Sequence, residues 1–261
     1  MKGTEFCQQI GPSFSKARQA AIVQAVADGL HLPLVWKPVV VRHADGRAFT
    51  LQAMNDALKI GEPDDFVRVN VSHLDAQHIA DILDCRLPTE RMVDLVYLQA
   101  DMTIEPWTSS PDSQMASTAR MQEHSHNVSK KIGEPEKLDP LVCSAGKDWV
   151  LTNRYPNTSK GANYGWHTKS KPSPAHPEWG PFPCKAGGYV FQPVGFCHDI
   201  YHTDYSQTLR LFSRFVGVED PNTGTCSELE LDTMLQDPDL AGLISYEGPL
   251  KWVRHPGIPL A

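Results

Sequence analysis

Apolar residues recur at helical spacing over 15–30 and the pattern stops near Gly29, which predicts an amphipathic helix with one buried face. The period then changes to two. Residues 34–41 are rich in valine, 43–47 carry turn chemistry, 49–54 alternate, and 66–71 (FVRVNV) alternate without a break. Together they predict a small antiparallel meander. Ser72 or Asp75 is placed to cap a helix running to Asp84, and Pro88-Thr89-Glu90 opens another whose Met92, Val93, Val96 and Leu98 suit one buried face.

Pro, Ser and Asp dominate 105–113 around Trp107, so this stretch reads as a loop and as the natural place to divide the chain. Beyond it, 115–132 reads as a helix stopped by Gly133, followed by strands at 149–153, 163–168, 188–194 and 209–218. A long irregular loop over 169–185 is of the kind that forms binding lips, and short helices are expected at 228–235 and 238–244. The expected fold class is α+β, with antiparallel sheets flanked by short helices and a C-terminal half that is mostly β. The division is an α+β unit over 1–105 and a β-rich unit over 114–261 carrying the working surface, with one integrated domain as the alternative.

Composition narrows the function. Apolar residues at 41% and charged residues at 21% can bury a core without a partner. A net charge of −7 with no Lys/Arg run lacks the footprint of a phosphate-backbone binder, which argues against nucleic acid. No apolar run approaches the ~18–20 residues that a membrane span requires. Gly3-Thr4-Glu5-Phe6 is what two adjacent restriction sites encode in frame, so residues 1–6 are expected to be a cloning remnant that replaced a removed leader. That expectation points to a secreted or periplasmic setting. The six cysteines contain no C-x-x-C pair. Cys184 and Cys197 flank an expected strand and are candidates for a disulfide, whereas Cys85, in an expected helix, reads as a buried free thiol.

Familiar catalytic signatures are absent, so clustering has to carry the search. Of eleven histidines, His167 ends Asn163-Tyr-Gly-Trp-His, while His198 and His202 lie in Cys197-His-Asp-Ile-Tyr-His-Thr-Asp-Tyr-Ser-Gln207. Imidazole and carboxylate are the usual zinc donors, and a catalytic zinc needs three protein ligands and one open position. His167, His198, His202 and Asp204 are the candidate ligands, with Asp199 or Tyr205 to orient a ligand or stabilise developing charge. The metal-free alternative uses a histidine as base, Asp204 to hold its tautomer, and Ser206 or Tyr205 as nucleophile or acid. Tyr164, Trp166 and Trp179 are candidates to bind substrate, and Trp107 and Tyr189 could extend a stacking platform. His124 and His126, two apart on a helix, read as a solvated surface, though His124 could point to the cleft. His73 and His78 read as exposed, and Lys147, Asp148 and Arg154 as a polar strand edge.

Leu87-Pro-Thr-Glu-Arg-Met-Val-Asp94, Gly146-Lys-Asp-Trp-Val-Leu-Thr-Asn-Arg154, Tyr164-Gly-Trp-His167 and Asp204-Tyr-Ser206 together resemble a group of bacterial, often exported proteins with a YGWH…H…DYS pattern and no activity attached to it. The resemblance covers roughly 50–215 and implies that the halves work as one unit. The Trp166-His167 segment is also loosely similar to the second ligand motif of cell-wall D,D-peptidases of the VanX type. The Glu-x-x-His form is missing and the His/Asp segment follows it, so no residue roles transfer. The expectation is a hydrolase, first by zinc-assisted cleavage of an amide or peptide bond, with cell-wall peptides as substrate. Metal-free hydrolysis or elimination on a glycan comes second. A non-catalytic carbohydrate- or peptide-binding module, with 169–185 as its lip, is the contrasting class.

Overall fold

A computed structural model describes residues 1–133 and 136–260 of the chain. Its helices are α1 (Gly3–Gln9), α2 (Lys16–Ala27), α3 (His73–Ile82), α4 (Glu90–Gln99), α5 (Thr118–Ile132) and α6 (Leu231–Gln236). Four of them start where a hydroxyl side chain accepts an otherwise unpaired backbone N–H: Ser15 from Arg18, Ser72 from Asp75, Thr89 from Met92 and Ser117 from Arg120. Strands in the first half are β1 (Trp36–Arg42), β2 (Ala48–Met54), β3 (Lys59–Glu62), β4 (Asp65–Arg68), β5 (Cys85–Arg86) and β6 (Met102–Thr103). In the second half they are β7 (Val142–Cys143), β8 (Lys147–Trp149), β9 (Asn163–Thr168), β10 (Phe182–Pro183), β11 (Tyr189–Gly195), β12 (Phe212–Glu219) and β13 (Cys226–Glu230). The fold is α+β with antiparallel main sheets, and the regular elements of the second half are mostly strands.

The main sheet runs β1-β2-β12-β13, with β5 also paired to β12. Val216 lies opposite Leu51, Val218 opposite Phe49, and Phe212 opposite Arg86. The two expected units are therefore joined in one sheet, and 105–113 is a loop across that joint. Phe49, Leu51, Ile79, Leu211, Phe212, Val216 and Leu235, drawn from both halves, share one core. A second sheet, β10-β11-β9-β8, carries the Asn163–Thr168 strand.

Several expectations change for identifiable reasons. The helix expected over 228–235 starts only at buried Leu231, because Cys226–Glu230 is an edge strand on β12. The last expected helix is a short 3-10 turn, Ala241–Leu243. Of residues 1–6, expected to be a cloning remnant, Gly3 and Phe6 are buried, and a Cβ on Gly3 would lie 2.6 Å from the Phe66 backbone. Among the described residues all six cysteines are free, so Cys184 and Cys197 form no disulfide; Cys85 is buried as expected, but on a strand. His73 is fully buried, stacked on Trp149 at 5.0 Å, and is not on an exposed helix face.

Candidate functional site

The segment after β11 is anchored by backbone bonds from Gly161 N–H to His198 O (3.2 Å), Ile200 N–H to Ser159 O (3.0 Å) and Leu74 N–H to Ile200 O (2.9 Å). A turn follows, in which Tyr201 N–H reaches Asp199 Oδ1 at 2.9 Å and His202 N–H reaches Asp199 O at 3.3 Å. It folds His202 back onto His198, so that the two rings lie parallel, 3.8 Å apart and 2° from coplanar stacking. Asp204 completes the group: one ligand atom from each of His198, His202 and Asp204 lies within 4.8 Å of the others.

Both imidazoles are half-buried and Asp204 is buried. Burial, and then repulsion from His202, lowers the His198 pKa to about 4, and burial lowers that of His202 as well. Both are neutral at pH 7, the form that donates to a metal and that tolerates parallel stacking. His202 Nε2 is buried without a hydrogen-bond partner. Asp204 Oδ1 accepts from the Ser206 N–H at 2.8 Å and from its hydroxyl, while Lys147 Nζ stands 3.9 Å from Oδ2. The carboxylate is thus aimed by its own turn, a support commonly found behind metal ligands. The residues present fit a divalent ion: two neutral imidazoles, one oriented carboxylate and a nitrogen with nothing else to bind.

His167 belongs elsewhere. It follows Trp166 on β9, and the two side chains serve opposite faces: the Trp166 ring lies under Lys147 Nζ (5.0 Å) and beside Tyr205 (6.1 Å), while His167 turns to α4. There its Nε2 meets Asp94 Oδ1 at 2.7 Å, with both residues 0% exposed and Tyr97 stacked on the imidazole at 4.4 Å. Tyr164 donates to Asp94 Oδ1 and Tyr246 to Oδ2, each at 2.7 Å. Burial alone would lower the His167 pKa; the Asp94 hydrogen bond and the Cys143 and Cys184 thiols outweigh it and raise it to about 11. Asp94, His167 and Cys184 form a second group compact enough to hold a metal. Here, however, the carboxylate already receives three donors, which accounts for the arrangement as a buried ion pair.

The expected site is therefore split. His198, His202 and Asp204 come together, and His167 does not join them. Tyr164 is buried and committed to Asp94, so it does not face a ligand. Tyr205 is buried and accepts from Ser109 N–H at 2.8 Å. Ser206 is buried with its hydroxyl on Asp204, leaving no histidine to activate it. Trp166 is buried beside the site, whereas Trp179 is 69% exposed on the long loop, stacked on His176 at 3.7 Å. Three residues of these clusters were missed or read differently from the sequence. Asp94 is a carboxylate on the apolar face marked by Met92, Val93 and Val96. His124 shares the stripe of Met121 and Val128, a spacing that does signal burial. Lys147 leaves its strand edge to face Asp204. Comparison with protein-family models, curated proteins and solved structures returns no match.

Proposed function

We propose that the chain is a metal-dependent hydrolase in which His198, His202 and Asp204 hold a divalent cation, zinc being the ion best matched to two imidazoles and one carboxylate. The observation that carries this reading is the gathering of three donors, two of them neutral and half-exposed, around a buried nitrogen that has no partner. A divalent ion held there supplies Lewis acidity and makes water a nucleophile near neutral pH. Ser206 fixes the Asp204 carboxylate. Lys147, whose ammonium lies near Asp204 and over the Trp166 ring, sets a positive charge where negative charge would develop on a substrate carbonyl. Ser206 is spent on Asp204, which disfavours the metal-free route through a serine nucleophile.

The substrate assigned is an amide or peptide. A cell-wall peptide and an exported setting are carried by the reading of the sequence, and the six free thiols add nothing to the latter. The exposed face of Trp179 favours a second reading, in which the 169–185 loop is the lip of a carbohydrate-binding module. Elemental analysis of the purified chain and of H198A and H167Q separates these. The hydrolase reading expects about one zinc per chain, lost in H198A and kept in H167Q, with hydrolysis lost alongside it. No zinc in the wild type, or zinc that survives H198A, overturns it.

A further inference from the structure

Next to the His198, His202 and Asp204 trio lie polar groups for which the proposed chemistry has no use. His124 is 1% exposed, and neither of its ring nitrogens has a hydrogen-bond partner. The indole Nε1 of Trp166, at 4% exposed, and the Nε2 of buried Gln207 are also unpartnered. The His124 and Trp166 rings share one aromatic enclosure: the His124 ring lies 5.4 Å from Tyr205 and 6.3 Å from Trp166, and Trp107 lies 6.0 Å from His124 and 5.5 Å from Tyr205. Lys147 closes the side towards the trio, 5.0 Å from the Trp166 ring centroid and 3.9 Å from Asp204.

An unsatisfied buried donor is costly, and native folds contain few of them, so several in one enclosure call for a cause. Trp166 adds a second, independent sign. Its φ is 62°, a left-handed conformation that a bulky side chain adopts only when its surroundings impose it, and such strain gathers at functional sites. The balance of groups leans to donors. An indole N–H, an imidazole N–H and an ammonium stand against a single imidazole lone pair, while the nearest carboxylate, Asp204, is already occupied with Ser206 and the metal position. A donor-rich, partly aromatic enclosure with one cation complements a planar anion with two acceptor oxygens.

We propose that His124, Trp166 and Lys147 form a carboxylate-binding subsite, so that the hydrolase acts on amides or peptides bearing a free carboxylate near the bond that is cleaved; this rests on the trio being the reaction centre. Trp107, half-exposed on the 105–113 loop, is the solvent-side wall of the subsite.

The test titrates 15N-labelled full-length protein with acetate, and with acetamide as its neutral isostere, at fixed ionic strength. It reads the Trp166 indole N–H resonance, assigned by its loss in Trp166→Phe. The titration is run on metal-free and on zinc-loaded protein. The subsite expects a saturable shift with acetate in both states, at least tenfold weaker binding of acetamide, and at least tenfold weaker acetate binding in Lys147→Met or, should that variant lose native dispersion, Lys147→Gln. A shift seen only with zinc and unchanged by the lysine variants would put acetate on the metal, overturning the subsite and leaving the metal reading intact. No saturable shift in either state overturns the subsite too, because the buried groups would then be holding water. A lysine-dependent shift in protein that takes up no zinc upholds the subsite while removing the metal-centred reading.

Discussion

At the Asp94 cluster the carboxylate takes hydrogen bonds from His167, Tyr164 and Tyr246 in a setting closed to solvent. At the His198 cluster the same residue types leave a buried Nε2 with no partner and two imidazoles that no proton or carboxylate holds. One histidine is charged and paired and the others are neutral and open, because a close carboxylate rescues His167 from the cost of burial and none lies so close to His198. Composition does not separate the two clusters; the bonding capacity left over does.

The comparison breaks most sharply at Asp94. Replacing it by Asn leaves a buried histidine without its counter-charge, and a loss of about 3–5 kcal/mol in urea unfolding is expected. An unchanged midpoint would mean that the pair is not the brace described. The next effect is one of pH. Because the folded pKa of His167 lies above its unfolded value, its contribution to stability is complete below about pH 6.5. It is lost as pH climbs towards about 11. The wild type should lose up to about 1.4 kcal/mol per pH unit in that window, and D94N should show a flatter slope. Y246F removes one of the three donors to Asp94 and should cost about 1–2 kcal/mol. Smallest is the stability change of H198A, expected within about 1 kcal/mol because no hydrogen bond is broken, even though the proposed function expects metal and turnover to be lost. A large destabilisation in H198A would put that cluster in the structural class with Asp94.

The helices with hydroxyl caps and the hairpin of β1 and β2 were legible, because caps and periodicity are local, but the meander expected over 34–71 does not form: Asp65–Arg68 pairs with β3 in a sheet of its own, and β2 takes β12 as its second neighbour. The edge strand β13 was not. Ser227-Glu-Leu-Glu230 has no pattern of its own and becomes a strand only because β12 offers it a free edge. Within the site, His198, His202 and Asp204 were readable because a single turn brings them together. The attachment of His167 to Asp94 was hidden, since it depends on which face of β9 meets a helix residue 73 positions earlier, and nothing in Tyr164-Gly-Trp-His167 records that face. Lys147 and His124 were misplaced for a similar reason: each was read by its own element, when its role is fixed by the neighbour across from it.

The pairing of β12 with β2 has a consequence for how the chain is made. The hydrogen-bonding edge of β2 exists once residue 54 has been synthesised, yet its partner on that side is not complete until residue 219. At a translation rate of roughly 5–20 residues per second, that edge waits on the order of ten seconds or more with its amides bare. During this interval the nascent chain offers any passing strand a template. Its yield in a cell is therefore set by how well this edge is shielded during synthesis, as well as by how stable the finished sheet is.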